Sequence, residues 1–400
     1  MTHDRATGGD LSGLWTSLAD QARLDARTNV GFPGATDISY PQLAGLLTSV
    51  LLNNIGSPYD TAGHGRNHTR DIEVQVVNLV ADLFHAPPSR WGYVTSGTTE
   101  GTEHALLDAR RRYPNAVTFA SAASHFKINA LVDKLMMPLV VINTDPGGTM
   151  DIDDLAGELA RRRDRPAIIV ATAGTTMTEA VDNIPAIVEV CDQLAITRRR
   201  IHVDAALSGL PLALEPVNGV PRIDFSVRGV DSIIISGHKF PSTLVSCGVL
   251  VYREPPIAAG AGLVSYTGTA DATIPGSRSG HTTLLLWASL AGLGLAAHRE
   301  RVRASRATAA YAVKALRRIG VDAQRHPHAF TVYFPPPPAA LTQRWVIPAD
   351  DQYSHIVCMP QVTRADLDAL TADWQAATQG RELTPARAPH RATTALIPSG

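Results

Sequence analysis

Between Trp91 and Tyr252 short apolar runs alternate with longer stretches of helical spacing, and this alternation limits the fold more than any other feature of the chain. The runs Trp91–Val94, Val117–Ala120, Leu139–Asn143, Ala167–Ala171, Ile201–Asp204, Ile233–Ser236 and Val249–Tyr252 have strand length and end at turn residues. Helical stretches lie between them: from the turn at Ser96–Thr99 through Arg112, to about Met137, from Asp151 to Arg163, and from Ile184 to Leu194. The third is acidic in its first turn and ends in Arg161-Arg162-Arg163, which suits the helix dipole. Strands separated by helices imply an α/β fold with a largely parallel sheet covered on both faces. Ligands of such sheets bind beyond the carboxyl ends of the strands. Asp204 and Lys239 both fall there.

The flanks read differently. Tyr40–Asn54 is expected as a helix, Gly56–Asn67 as a polar loop able to line a site, and Ile72–Phe84 as a helix. His281–Gly320 reads as nearly continuous helix. Beyond it, Phe330–Phe334 and His355–Met359 read as strands, Pro335–Pro338 as a break, and Thr363-Arg364-Ala365-Asp366 as the capping box of a last helix. The expected division is an N-terminal segment (1–70), a large domain (71–300) and a small α+β domain (301–400). Residues 1–10 and the stretch from about Thr384 read as mobile ends.

Composition narrows the function classes. Apolar residues make up 44% and charged residues 18%, enough for a sizeable core, and the formal net charge of -1 gives no reason to expect nucleic acid or an anionic membrane as partner. Cys191, Cys247 and Cys358 are widely spread without a CxxC pair, so no disulfide framework or zinc knuckle is expected. His64 and His68 have i, i+4 spacing, but Gly65 and the loop setting argue against a metal site. No apolar run approaches 18 residues and no h-region follows Met1, so a reducing, cytoplasmic setting is the expectation.

The chemistry centres on Ser236-Gly237-His238-Lys239-Phe240, which follows the apolar run Ile233-Ile234-Ile235. Lysine is scarce: Lys127, Lys134, Lys239 and Lys314 are the four in the chain, and the other basic positions are arginine. A Schiff base needs a primary amine that can lose its proton, which lysine offers and arginine does not. Ser96-Gly97-Thr98-Thr99, between a strand and a helix, offers backbone amides and hydroxyls for a phosphate. His202-Val203-Asp204-Ala205-Ala206 sets an acid at a strand end, where it either holds a pyridine nitrogen protonated or caps a helix. His125 after Ser124 can stack on an aromatic ring. Together these four features point to pyridoxal phosphate.

Those motifs, with Gly174-Thr175-Thr176 and Ser208-Gly209, resemble the group II pyridoxal-phosphate decarboxylases, and within them the branch of bacterial histidine decarboxylases and plant serine decarboxylases. Asn29-Val30-Gly31-Phe32-Pro33, Asn53-Asn54-Ile55-Gly56, Trp91-Gly92-Tyr93, Gly276-Ser277-Arg278-Ser279-Gly280-His281 and Thr331-Val332-Tyr333-Phe334-Pro335 extend the resemblance from about residue 29 to 375. The resemblance implies the fold-type-I pyridoxal-phosphate transferase fold (aspartate aminotransferase-like). It also implies a homodimer with the active site at the subunit interface, where residues 1–70 would pack. Carried over, Lys239 is the aldimine lysine, Asp204 pairs with the pyridine nitrogen and His125 stacks on the ring. Ser96, Gly97, Thr98, Ser236 and His238 would hold the phosphate, and Thr175 and Ala206 would lie against the ring. Tyr266, in the Gly/Thr/Ala-rich stretch Ala258–Ala272, is the candidate proton donor.

The implied activity is α-decarboxylation of an L-amino acid, L-histidine first. L-serine, or a non-standard amino acid of a specialised biosynthetic pathway, is the alternative. An aminotransferase and a catalytically silent pyridoxal-phosphate-binding protein are the rival classes. The chain departs from the family at Lys127, where a small hydroxyl residue is usual, at Glu179, where glycine is usual, and at Ser246, where proline is common. The Gly63–His68 loop also differs. If Lys127 reaches the site, its charge disfavours an imidazolium and favours a neutral or anionic side chain.

Overall fold

The structure, a computed structural model, describes residues 11–60, 66–257, 262–381, 383 and 395–396. His64, Gly63 and Gly65, residues 258–261 and most of the two expected mobile ends lie outside the described residues. All seven apolar runs form strands of one sheet: β1 (Trp91–Thr95), β2 (Val117–Ser121), β3 (Leu139–Ile142), β4 (Ala167–Thr172), β5 (Arg199–Asp204), β6 (Val230–Ser236) and β7 (Gly248–Tyr252). Their order across the sheet is β1-β7-β6-β5-β4-β2-β3. Every strand but β7 runs the same way, and β7 lies antiparallel between β1 and β6. The carboxyl ends of β1, β2, β4, β5 and β6 therefore share one edge.

Side-chain alternation explains the cover on both faces. In β4, Ile169 and Ala171 join the main core, while Ile168 and Val170 join a second cluster on the opposite face. The helices include α1 (Leu11–Thr28), α2 (Arg70–Leu83), α3 (Thr98–Arg112), α4 (Lys127–Lys134), α5 (Ile152–Ala160), α6 (Ile184–Gln193), α7 (Gly209–Leu214), α8 (Gly280–Trp287), α9 (Leu295–Arg318) and α10 (Arg364–Thr378). Val76, Val77 and Val80 of α2 pack on the main-core face, and Leu106 of α3 with Ile128 and Leu131 of α4 on the other. Each fully buried Val, Leu or Ile contributes roughly 1.5–3 kcal/mol. Asp151 caps α5 by accepting from the amides of Asp153 and Asp154.

Two expected helices are corrected. Tyr40–Asn54 forms only a 3-10 turn (Pro41–Leu43) and a short helix (Ala44–Ser49), because Asn53–Asn54 pairs antiparallel with Arg278–Ser279. His281–Gly320 is broken at Gly294, whose φ of 85° suits glycine, and the segments on either side meet at 87°. The bend lets α9 leave the main core at Val302 and enter the carboxyl-terminal core at Ala309, Ala312 and Leu316.

In that second core β8 (Thr331–Phe334) pairs antiparallel with β9 (Ser354–Val357), and α10 starts with the expected capping box of Thr363 and Asp366. The segment after α1 straps both cores together. Val30 packs with the carboxyl-terminal core and accepts from Val357 N–H, while Ala35 belongs to the main core. Among the described residues no single helix is long and apolar enough to cross a membrane.

Candidate active site

The site is built where strands end. Gly248 of β7 pairs with Thr95 of β1 on one side and Ser236 of β6 on the other. A Cβ on Gly248 would lie 2.8 Å from Thr95 Oγ1 and 2.9 Å from Ile235 O, so only glycine lets these two strand ends come so close. The Ser96-Gly97-Thr98 turn and the Ser236–Lys239 turn are thereby brought to one place. Helix α3 begins after Gly97 with no side-chain cap, and nothing lies within 4 Å of where a Gly97 Cβ would be. Ser96 turns its amide (2.8 Å) and hydroxyl (2.6 Å) to Glu100, which leaves the uncapped first-turn amides of α3 as the groups of this turn able to bind an anion.

On the other flank, Ser236 is buried and its hydroxyl lies 3.2 Å from His238 Nδ1. His238 also approaches the Cys247 carbonyl at 3.3 Å, and burial lowers its pKa. The Ser236 amide donates to Ala206 O (3.3 Å), which ties the β5 and β6 ends together.

Lys239, Asp204 and His125 come from three strand ends and meet electrostatically. Asp204 ends β5, opposite Thr172 of β4 and Ile234 of β6. His125 leaves β2 after Ser124, whose hydroxyl lies 3.2 Å from that of Thr172. Burial pushes the Asp204 pKa up, opposed by the charge of Lys239, the amide of Ala206 and the charge of His125. Burial pushes Lys239 down, opposed by Asp204 and Glu179. His125 is lowered by burial and by Lys239 and Lys127, against Asp204. Its Nδ1 accepts from Lys127 N–H (3.3 Å), so a neutral ring carries its proton on Nε2.

Thr175 is buried in a tight turn, with its hydroxyl accepting from Ala180 N–H (2.9 Å). Ala206 N–H donates to Asp204 Oδ1 at 3.2 Å, and this is the hydrogen bond that the carboxylate holds among the described residues.

These features fit pyridoxal phosphate. A buried carboxylate with acceptor capacity to spare can hold a pyridinium N–H. An uncapped helix start with open space at Gly97 can seat a phosphate. A lysine whose pKa burial lowers is a ready amine.

Not every singled-out residue comes to this edge. Tyr266 is 83% exposed on a turn closed by Val264 and Thr269. Ser246 is exposed. His68 accepts from Arg70 N–H (3.4 Å) at the start of α2. Lys127 stands in the first turn of α4 with its amine 5.1 Å from the centre of the exposed Phe126 ring. His202, within the Asp204 motif, is a core residue bonded to Thr102 and Ser232, its pKa lowered to about 3 by burial.

Sequence reasoning missed the buried network beneath the site. Glu73 of α2 holds Arg278 (2.9 Å), Asn54 (2.8 Å) and Val94 N–H (2.9 Å), joining the Asn53–Gly56 and Gly276–His281 motifs to β1. An acid among the apolar positions of α2 was the available signal.

The Pyridoxal-dependent decarboxylase conserved domain matches residues 35–321. A histidine decarboxylase of Mesorhizobium japonicum is 36% identical over 342 residues, covering 85% of this chain and 91% of the relative. One from Pseudomonas entomophila is 34% identical, covering 88% and 90%. Among solved structures, an L-methionine decarboxylase variant from Streptomyces sp. 590 superimposes with a TM-score of 0.82 at 23% identity, covering 94% and 96%. Lactobacillus brevis glutamate decarboxylase gives 0.78 at 19% identity, covering 95% and 94%. These structural likenesses establish the fold-type-I architecture. The strand-end lysine site and the match across most of the chain lead to one conclusion: this chain belongs to the pyridoxal-dependent decarboxylase family and is a pyridoxal-phosphate-dependent carboxy-lyase acting on an amino acid.

Proposed function

We propose that the enzyme removes the α-carboxylate of L-histidine, releasing carbon dioxide and the amine. The observation that carries this reading is 36% identity to a histidine decarboxylase along 91% of that relative's length. Pyridoxal phosphate, when bound, supplies the electron sink for the pair left on the α-carbon as carbon dioxide departs.

The chain's own residues do the rest. Lys239 would provide the amine that holds the cofactor. Asp204 would hold a proton on the ring nitrogen, and the neutral imidazole of His125 would stack on the ring. Gly97 and Thr98 with the first-turn amides of α3 hold the phosphate from one side, Ser236 and His238 from the other, with Ser96 setting the turn. Thr175 and Ala206 would lie against the ring and limit how the bound substrate can turn.

We further infer a homodimer. Helix α1 has no buried residue, and Leu11, Leu14, Trp15 and Leu18 along it are exposed, as are Phe126, Leu244 and Tyr266. Apolar surface of this extent is what a second copy would cover. Tyr266 would then reach the partner's site as proton donor.

Lys127 favours a second reading, in which the substrate side chain is neutral as in L-serine, because its charge acts on His125. Side-by-side kcat/KM values for histidine, serine and an acidic amino acid test both. A clear lead for histidine supports the first reading. Preference for serine or the acid, lost in Lys127→Ser, overturns it and leaves the decarboxylase intact.

A further inference from the structure

Glu179 stands where glycine is usual, and the backbone shows why: its φ is +59°, in the left-handed region. A non-glycine residue there is strained by on the order of 1 kcal/mol. It is also 1% exposed, so a carboxylate has been taken out of water at a strained position. Such a residue persists when its side chain makes contacts that nothing else supplies.

The contacts are four. Oε1 accepts from the Ser208 hydroxyl (2.9 Å). Oε2 accepts from Phe330 N–H (3.0 Å), Thr331 N–H (2.8 Å) and the Thr331 hydroxyl (2.6 Å), at the start of β8. The backbone is held as well: Glu179 N–H donates to Thr175 O (2.9 Å), and His328 Nε2 donates to Glu179 O (2.8 Å). Next to it, Gly174 packs so closely that a Cβ would lie 2.5 Å from the Ser208 hydroxyl oxygen. Ser208 closes the segment that begins at Asp204.

We propose that Glu179 is a positioning residue for the lysine site, clamping the Thr175 turn and the Asp204–Ser208 segment against β8 of the carboxyl-terminal domain. This rests on the assignment of Lys239, Asp204 and Thr175 to the cofactor. The clamp carries a charge, and that charge raises the Lys239 pKa against the effect of burial, as Asp204 does. The other titratable groups around it are His328, Arg306, Arg325, His355 and Cys358 near Glu179, and His125 and His238 near Lys239. Removing the carboxylate leaves Asp204 as the one acid favouring a protonated nitrogen at Lys239.

The test uses cofactor-loaded enzyme with Glu179→Gln, Glu179→Gly and Ser208→Ala. Glycine suits the positive φ, so Glu179→Gly is the variant that keeps its fold if glutamine does not. The visible absorbance of the Lys239-linked cofactor is titrated with pH, alongside kcat, KM and Tm. Both Glu179 variants are expected to titrate about 0.5–1 pH unit lower than the parent. Their kcat should fall about tenfold, with KM moving less, and Ser208→Ala should lose kcat without that titration shift. An unshifted titration and parental kcat in Glu179→Gly overturn the proposal and make the carboxylate a staple between domains. Failure to find the borohydride-trapped cofactor on Lys239 of the parent would instead remove the site assignment beneath it.

Discussion

Two acid–base pairs, one buried and one partly exposed, show how differently the same charges are used. Glu73 and Arg278 lie at 0% and 4% side-chain exposure, and the Glu73 carboxylate accepts from Arg278, Asn54 and Val94. Asp204 and Lys239, at the strand ends, are left open. Asp204 carries the Ala206 hydrogen bond, and among the described residues no ion pair joins it to Lys239. A buried charge left short of partners costs free energy, so the fold tolerates it where a ligand completes the set. The saturated pair ties scaffold elements together, and the unsaturated one keeps hydrogen-bonding capacity for a ligand. Glu179, saturated but adjoining the site, belongs with the first kind in bonding and with the second in position.

The sharpest way to break the comparison is at Lys239. Lys239→Ala should lose turnover by on the order of 10⁴-fold or more, because covalent attachment and release go with it. Borohydride reduction followed by peptide mass spectrometry should place the cofactor on Lys239 in the parent. An adduct on Lys127, Lys134 or Lys314 would reassign the site.

The scaffold pair should respond in the opposite way. Arg278→Ala leaves Glu73 charged and buried, a change that costs about 3–5 kcal/mol of stability. The unfolding free energy should drop by that amount, lowering the midpoint, while kcat per folded, cofactor-loaded molecule stays near the parent. A large loss of kcat with an unchanged midpoint would show that the Glu73 network acts on catalysis directly.

How much of this could be read from the chain depends on how far apart the partners lie. The seven strands were legible because each carries a short apolar run, nearly unbroken in β4 and β7, of the kind that burial on both faces requires. The strand end that carries Lys239 was legible from the isoleucine run before it. The short helix after Tyr40 was not, because Asn53–Asn54 is drawn into a strand by residues 278–279. The break at Gly294 lies in a stretch otherwise helical in spacing, and it follows from the separation of two cores. Glu179 looked like a departure near the pocket. Its role depends on Phe330 and Thr331, more than 150 positions further on, which no local pattern reveals.

Asp204→Ala is the next effect in size. One carboxylate that keeps the ring nitrogen protonated acts chiefly on the step that leaves charge on the α-carbon, so turnover should fall about 10²-fold while most of the bound cofactor remains. Turnover near the parent would place Asp204 with the scaffold acids, as a cap on the segment that follows it.

The smallest effect separates the scaffold from the site by acid. His202 and His298 are held neutral, their pKa values lowered by burial to about 3 and about 4 from 6.5. Their stabilisation is fully present above pH 6.5 and is lost as pH falls toward the folded values, because the unfolded chain binds protons that the folded chain refuses. Asp182 works the other way: burial raises it from 3.8 to about 6, so its contribution is present below 3.8 and lost as pH rises through 6. Between about pH 4 and 6 these two histidines outweigh that aspartate, and His104, His328 and His355, also lowered by burial, act in the same direction against Asp204 and Asp231, which burial raises. Stability should therefore rise with pH across that window, and more steeply from 6 to 6.5 where Asp182 no longer opposes. Denaturant midpoints at half-unit pH steps measure the slope. His298→Gln should flatten it by about one proton. The same slope in that variant would mean that His298, bonded to the Ser289 carbonyl and to Arg301, is not among the groups that set the acid limit of the fold.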